Sequence, residues 1–418
     1  MNFGCIFKIL VCAIIIPVSY AGAQVKILFD ATKGEMAGNA DWVIDADLHN
    51  VGVGTTGAYT STSATKSNPQ RIPTPAQSGI TSSTSETYWN GGISAWAVDC
   101  AKRGYTVETL PWNGQITYGN SSNVQDLSNY KVFIVDEPNL KFSATEKAAI
   151  IQFVQNGGSL FMIADHNISD RNGDGWDSPH IWDDLLSNNT VQTYPFGIYF
   201  DTVDFSQTTT NIGGAASDSI IHGPMGNVTK VQYSGGTAMT LNLSQNPTAK
   251  GVVFKTGSST SGTTNVMFAY ARYGHGKVAA MGDSSPADDG TGNPDCTLYN
   301  GYFADASGNH QLLIMNATIW LATSDTTVSH VSVADARPEE HSIHIFPNPS
   351  HGIINLSTDV ILTNTSIEIY NFEGRIVAKR RVDEFLEGAT QTFELPAGTY
   401  IAKVQSDKGL QSSVFAVY

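Results

Sequence analysis

The chain has 418 residues, 41% of them hydrophobic and only 15% charged, with a formal net charge of -15. That length allows two or three domains with real cores. An acidic surface gains nothing from counterion release on a phosphate backbone, so stable nucleic-acid binding is excluded as a generic role, although a nuclease with its own metal ions is not. Acidic exported proteins also offer loop carboxylates to Ca²⁺.

The first residues read as a signal peptide. Lys8 gives a positive start, Ile9 to Val18 form a short apolar run, and Ala21-Gly22-Ala23 is a cleavage site before Gln24. The run is short for a membrane anchor, and no later segment of the mature chain is long and apolar enough to cross a bilayer. Cys5 and Cys12 leave with residues 1–23; Cys100 and Cys296 remain, either paired or as two separate buried thiols.

Val25 to Ala31 reads as a buried strand ending at Asp30. A long polar loop follows, roughly Thr32 to Thr84, in which Asp45 and His49 are placed to fold over a site as a lid. A capping-box pattern at Ser83–Glu86 predicts a helix to about Arg103, and a second at Ser143–Glu146 predicts one to Asn156, stopped by Gly157 and Gly158. Strands are predicted at Thr106 to Leu110, Tyr130 to Val135, Ser159 to Ala164, Asn265 to Tyr270 and Lys277 to Met281. His310 to Ala322 closes the region as a helix. Alternating apolar strands and helices predict an α/β domain over 24–323: flavodoxin-like, a mostly parallel sheet with helices on both faces. Residues 324–342 read as a linker. Short alternating strands over 343–418 predict a small all-β sandwich.

Phe346-Pro347-Asn348-Pro349-Ser350-His351-Gly352, then Ile353 to Leu356, Ile369 to Gly374 and Leu395 to Tyr400, resemble the type A sorting domain of Bacteroidetes type IX secretion. The resemblance implies Sec export, translocation across the outer membrane by the type IX machinery, and a secreted or cell-surface destination. An ordinary carbohydrate-binding sandwich is the alternative.

The chemistry is read from where carboxylates fall. Four predicted strands end in acids: Asp30, Asp136 with Glu137, Asp165 beside His166, and Asp283. In a parallel sheet these ends share one edge, where ligands bind. Acids gathered there repel one another unless a cation or shared protons hold them. Asp30, Glu137, Asp165, His166 and Asp283 are therefore the candidate catalytic residues. The bland alternative is that Asp simply starts turns. Asp170, Asn172, Asp174 and Gly175 match positions one, three, five and six of an EF-hand-type Ca²⁺ loop, without its final Glu; Asp170, Asn172, Asp174 and Asp177 are the candidate metal ligands, and His180, Asp183 and Asp184 are further donors. Ser284 lacks the G-x-S-x-G elbow of a serine hydrolase. His275 falls in a predicted hairpin turn. Trp89, Trp112, Trp176 and Trp182 are candidate linings of a sugar cleft.

The run Lys147 to His166, helix then Gly157-Gly158 then strand, resembles the class I glutamine amidotransferase-like superfamily. No Cys stands at a strand end, so glutaminase chemistry is not implied. The leading expectation is an exported metal-assisted hydrolase, with a divalent metal such as Ca²⁺, acting on an extracellular polymer or ester, with a polysaccharide among the candidates. The alternatives are a non-catalytic calcium-stabilised binding module and a metal-dependent nuclease or phosphoesterase.

Overall fold

A computed structural model describes residues 24–37, 40–45, 70–290, 300–303, 306–323, 343–371 and 375–418. The expected signal peptide, His49, Cys296 and the expected linker at 324–342 lie outside the described residues. The chain divides into two compact units, Met1–Thr327 and Val328–Tyr418.

The first unit is built on a nine-stranded sheet. Its strands are β1 (Lys26–Asp30), β2 (Thr106–Leu110), β3 (Val132–Asp136), β4 (Ser159–Ile163), β5 (Ile198–Phe200), β6 (Met239–Leu241), β7 (Lys250–Phe254), β8 (Val266–Tyr273) and β9 (Gly276–Met281). The order is β2-β1-β3-β4-β9-β8-β6-β5, with β7 also on β8. Strands β2, β1, β3, β4 and β9 run parallel. All pairings beyond β9 are antiparallel.

The flavodoxin-like expectation is therefore overturned. Among the described residues strand outweighs helix, and the sheet is mixed. The cause is connection length. A parallel return needs a crossover of a dozen residues or more, whereas Gly274 and His275 alone join β8 to β9. Gly274 has φ +57°, and a Cβ there would meet the Gln155 carbonyl, so glycine makes this hairpin possible. Strand β9 then pairs with β8 on one side and, in parallel, with β4 on the other.

Four α-helices are described: α1 (Ser94–Lys102), α2 (Ala144–Gln155), α3 (Ser178–Ser187) and α4 (His310–Ala322). Helices α1 and α4 pack on one face of the parallel strands, through Trp96 and Leu313 against Phe29 and Phe161. Helices α2 and α3 cover the other, through Ile150 and Trp182 against Phe133 and Met162. Ser143 closes a complete capping box with Glu146 at the start of α2. The earlier box behaves differently. Ser85, not Ser83, caps a single 3-10 turn at Glu86–Tyr88, and α1 starts only at Ser94. Between them Gly91 and Gly92 press against the backbone carbonyls of Val43 and Asp41, an approach no Cβ would allow.

The second unit has strands β10 (Ile343–Phe346), β11 (Ile353–Thr358), β12 (Leu362–Asn371), β13 (Ile376–Phe385), β14 (Thr390–Glu394), β15 (Gly398–Ser406) and β16 (Gly409–Val417). They form a three-stranded sheet, β10-β11-β14, and a four-stranded one, β13-β12-β15-β16, both antiparallel. Ile354 and Leu356 of the first share a core with Ile367, Ile369 and Val404 of the second. Strand β13 escaped the sequence reading because it is an edge strand with Lys379, Arg380 and Arg381 at its centre.

Candidate functional site

The parallel register brings the ends of β3, β4 and β9 side by side. Glu137 follows β3 directly, Asp165 lies two residues past β4, and Asp283 two past β9. All three side chains are buried.

Glu137 is the hub. Its backbone takes φ +49°, a left-handed conformation that costs a non-glycine residue about 1–3 kcal/mol unless its surroundings hold it. They do so through the carboxylate. Oε2 accepts from the Trp42 indole at 2.8 Å and the Ser284 hydroxyl at 2.7 Å. Oε1 accepts from Arg171 Nε at 3.1 Å, with Arg171 Nη2 at 3.0 Å. Arg171 Nη2 also donates to Asp165 Oδ2 at 2.8 Å, so one guanidinium bridges two acids. His166 Nε2 stands 3.6 Å from the same Oδ2, while its Nδ1 lies 2.6 Å from the Asn167 carbonyl. That carbonyl places a proton on Nδ1 and turns Nε2 toward Asp165. At this rim His166 and Arg171 are the partly exposed members, with side chains 21% and 23% accessible.

Burial, then the charges of Glu137 and Asp283, push the Asp165 carboxyl well above its ordinary range, and Arg171 only partly offsets them. Asp283 is pushed up to about 6 by burial, although Oδ1 accepts from the Ser285 amide at 2.9 Å and Oδ2 from the Ser234 amide. Asp136 is raised well above its ordinary value by burial and by Glu137, Asp283 and Asp288; neither carboxyl oxygen has a hydrogen-bond partner. Asp30 belongs to a neighbouring pair. Buried Glu35 lies beside it, and burial raises both. The rim is thus a set of buried acids bridged by one guanidinium, with Asp136, Asp165 and Asp283 all raised by burial.

A divalent cation shared by Asp30, Glu137, Asp165 and Asp283 fits poorly. Donors already fill the Glu137 oxygens, backbone amides take both Asp283 oxygens, and Arg171 supplies positive charge between Glu137 and Asp165. Among the described residues no three His, Cys, Asp or Glu side chains are grouped to hold a metal ion. In the calcium-like loop, Asp170 accepts from the amides of Gly173, Asp174 and Gly175, and Asp174 from Trp176. Asn172 Oδ1 accepts from the Asp174 amide. Asp177 is the N-cap of α3, bonded to the His180 amide and ring and to the Ile168 amide. Asp183 takes the Tyr194 hydroxyl and Asp184 the Lys147 ammonium, both at 2.5 Å.

Other expectations fall into place as structure. Trp89 and Trp182 do not line a cleft; both are buried, with indoles bonded to the carbonyls of Pro75 and Ile163. Ser284 is buried and donates to Glu137. Asp45 accepts from the Thr74 amide at 2.7 Å. Cys100 is buried against Met315. Sequence reasoning missed Arg171. Its signal was present: a lone cation between Asp170 and Asn172 in an acidic loop.

A family model described as a secretion system C-terminal sorting domain matches residues 344–417. The C-terminal unit is a type IX sorting domain. This sorting domain addresses the protein to the type IX machinery, and the protein is secreted or held at the cell surface. No helix among the described residues is long and apolar enough to cross a membrane. The amidotransferase-like resemblance finds no support in a family match. No curated protein matches the chain. Among solved structures, the mmIFT52 N-terminal domain is 14% identical, covering 72% of this chain and 100% of its own, with TM-score 0.39. A β-galactosidase from Bacillus circulans sp. alkalophilus is 11% identical over 75% of this chain and 35% of its own, with TM-score 0.28. A DUF3244 family protein with an immunoglobulin-like β-sandwich fold, from Bacteroides vulgatus, is 15% identical over 19% of this chain and 95% of its own, with TM-score 0.15. Likeness at this level carries no functional argument.

Proposed function

We propose that the first unit is an exported hydrolase of an extracellular polymer or ester, working by proton transfer between buried carboxyls and His166. The observation that carries this reading is the Arg171 bridge: it fixes Asp165 against Glu137 while leaving Asp165 3.6 Å from His166 Nε2. A carboxyl raised by burial and set beside an imidazole is the pairing general acid–base catalysis uses. In the proposed step a water attacks the scissile carbon and gives its proton to His166. The bond to the leaving oxygen breaks, and that oxygen takes the proton of Asp165. Glu137 and Arg171 are positioning residues. No metal enters the step.

A non-catalytic exported binding module is the second reading, favoured by how little of the acid rim meets solvent. One experiment separates them. The full chain is assayed on chromogenic esters, chromogenic glycosides and polysaccharides, with and without chelator. Turnover that survives chelator and falls about 10²–10⁴-fold in Asp165→Asn supports the hydrolase. Full activity in that variant removes it. No turnover on any substrate leaves the module, and turnover abolished by chelator restores a metal.

A further inference from the structure

The first residues of α3 grip the segment that carries Asp165 and His166. The Ser178 hydroxyl accepts from the Asp165 amide, and Asp177 Oδ2 accepts from the Ile168 amide, both at 2.8 Å. The helix is itself anchored to the sheet, because the Trp182 indole donates to the Ile163 carbonyl at the end of β4. Asp177 is buried, and its other oxygen caps α3, taking the His180 amide at 3.1 Å with His180 Nδ1 2.6 Å away. A cap needs only that one oxygen. The bond from Oδ2 to Ile168 therefore serves a second purpose.

Between the two grips the chain makes a tight turn. The Ser169 amide and hydroxyl both donate to the His166 carbonyl, at 3.4 and 2.7 Å. Ile168, third in the turn, stands at φ +70°. Glycine or asparagine usually takes a left-handed turn position, and for a β-branched residue it is a genuine outlier. The Ile168 side chain is 76% exposed, so its packing does not hold the backbone there. The Asn167–Ile168 peptide does. Its N–H is bound to Asp177, and its C=O lies 2.6 Å from His166 Nδ1.

A peptide unit is planar and trans, so its N–H and C=O point in opposite directions and turn together. A flip of this unit would return Ile168 to negative φ. It would also carry the carbonyl away from Nδ1 and present the N–H on that side. A donor facing Nδ1 favours the ring proton on Nε2, the nitrogen 3.6 Å from Asp165. The ring is confined elsewhere too, since a Cβ at Gly235 would stand 3.1 Å from His166 Cδ2.

We infer that Asp177 is a positioning residue for His166. By holding the strained peptide it keeps a proton on Nδ1, and in the neutral ring that leaves Nε2 unprotonated toward Asp165. The bearing on catalysis rests on the hydrolase reading, in which His166 is the base; the tautomer itself does not.

The test reads the tautomer directly. The full chain, labelled with ¹⁵N-histidine, is studied by two-bond ¹H–¹⁵N correlation at about pH 8, where an ordinary imidazole of pKa about 6.5 is neutral. His166→Gln assigns the signal. The parent is expected to show the Nδ1–H form in about tenfold excess or more. Ile168→Pro removes the N–H and imposes a negative φ, yet leaves the cap of α3 in place; it should lower that ratio about tenfold. Asp177→Ala should do the same. Ile168→Gly keeps the N–H and accepts the left-handed turn, so it should match the parent. On any substrate the parent hydrolyses, Ile168→Pro should lower kcat about tenfold with KM little changed. These spectra without turnover on any substrate would remove the hydrolase reading alone. An Nε2–H ring in the parent, or an unchanged ratio in both Ile168→Pro and Asp177→Ala, would overturn the inference. A shifted ratio with unchanged kcat would overturn its role in catalysis.

Discussion

The two halves of the nine-stranded sheet follow different rules. Strands β1, β3, β4 and β9 are almost wholly buried and mostly apolar, and each carries a carboxylate at its end or within two residues past it. Strands β5 to β8 pair antiparallel, joined by anything from the two-residue turn after β8 to the long segment between β5 and β6, and no acid of the rim comes from their ends. Yet the second half shapes the first. The Thr237 amide binds the Gly282 carbonyl at 2.6 Å, and the Ser234 amide binds Asp283. The difference teaches that the acid rim is made by parallel strands and held by the segment that leads into the antiparallel ones.

The sharpest way to break this comparison is to remove the bridge within the parallel half. Arg171→Ala leaves Glu137 buried without its counter-charge and Asp165 without its donor. Breaking a buried ion pair on one side costs about 3–5 kcal/mol. Urea unfolding of the full chain at pH 7 should show a loss of that order, and hydrolysis should vanish with it. A loss under about 1 kcal/mol would mean that solvent already screens the pair.

The pH profile sharpens the contrast next. Asp283 rises from an ordinary 3.8 to about 6, so the folded state keeps a proton that the unfolded chain has released in between. More protons bound when folded means stability falls as pH rises. The fall runs from roughly pH 4 to 6, is worth about 3 kcal/mol at 1.36 kcal/mol per unit, and levels off above. Asp165 and Asp136, raised well above their ordinary values, carry the decline to higher pH. Glu108, Asp126 and Asp218 are lowered and act oppositely, failing only as the medium becomes acid. Maximum stability is expected in mild acid, with Asp136→Asn flattening the alkaline limb. A profile flat from pH 5 to 8 would contradict the retained protons.

The junction between the halves gives a smaller effect. A Cβ at position 282 would sit 2.0 Å from the Thr237 carbonyl. Gly282→Ala must push the strands apart, an overpacking cost of about 1–3 kcal/mol. Because Asp283 is next in the chain, activity should drop more than stability. Unfolding and kinetics unchanged together would show that the antiparallel half does not hold the rim.

These contrasts also explain what the sequence disclosed. Strands buried on both faces read as apolar runs, so β1, β3, β4 and β9 were visible, and α4 was bounded to the residue. The Ser143–Glu146 box was legible because capping is local; Ser143→Ala should cost about 1 kcal/mol. Strand direction was not legible, since it depends on which residues sit between strands. Glu137, Asp165 and Asp283 were marked by position alone. Trp42, whose indole fixes Glu137, comes from a segment 95 residues earlier, and no local pattern announces it.

The smallest effect concerns the loop that most resembled a metal site. Asp170, Asn172 and Asp174 turn their oxygens onto amides of their own loop, which needs no cation to close. Asp177 caps α3 and accepts from the Ile168 amide, again without a cation. Binding to the folded state alone stabilises by RT ln(1 + [L]/Kd), so a site of micromolar affinity at millimolar calcium would add about 4 kcal/mol. Adding calcium to chelator-treated protein is instead expected to move the unfolding midpoint by under about 1 °C, below the roughly 1.6 °C that 1 kcal/mol would give in a unit of about 300 residues. A rise of many degrees, lost in Asp174→Ala, would establish calcium as a structural ligand.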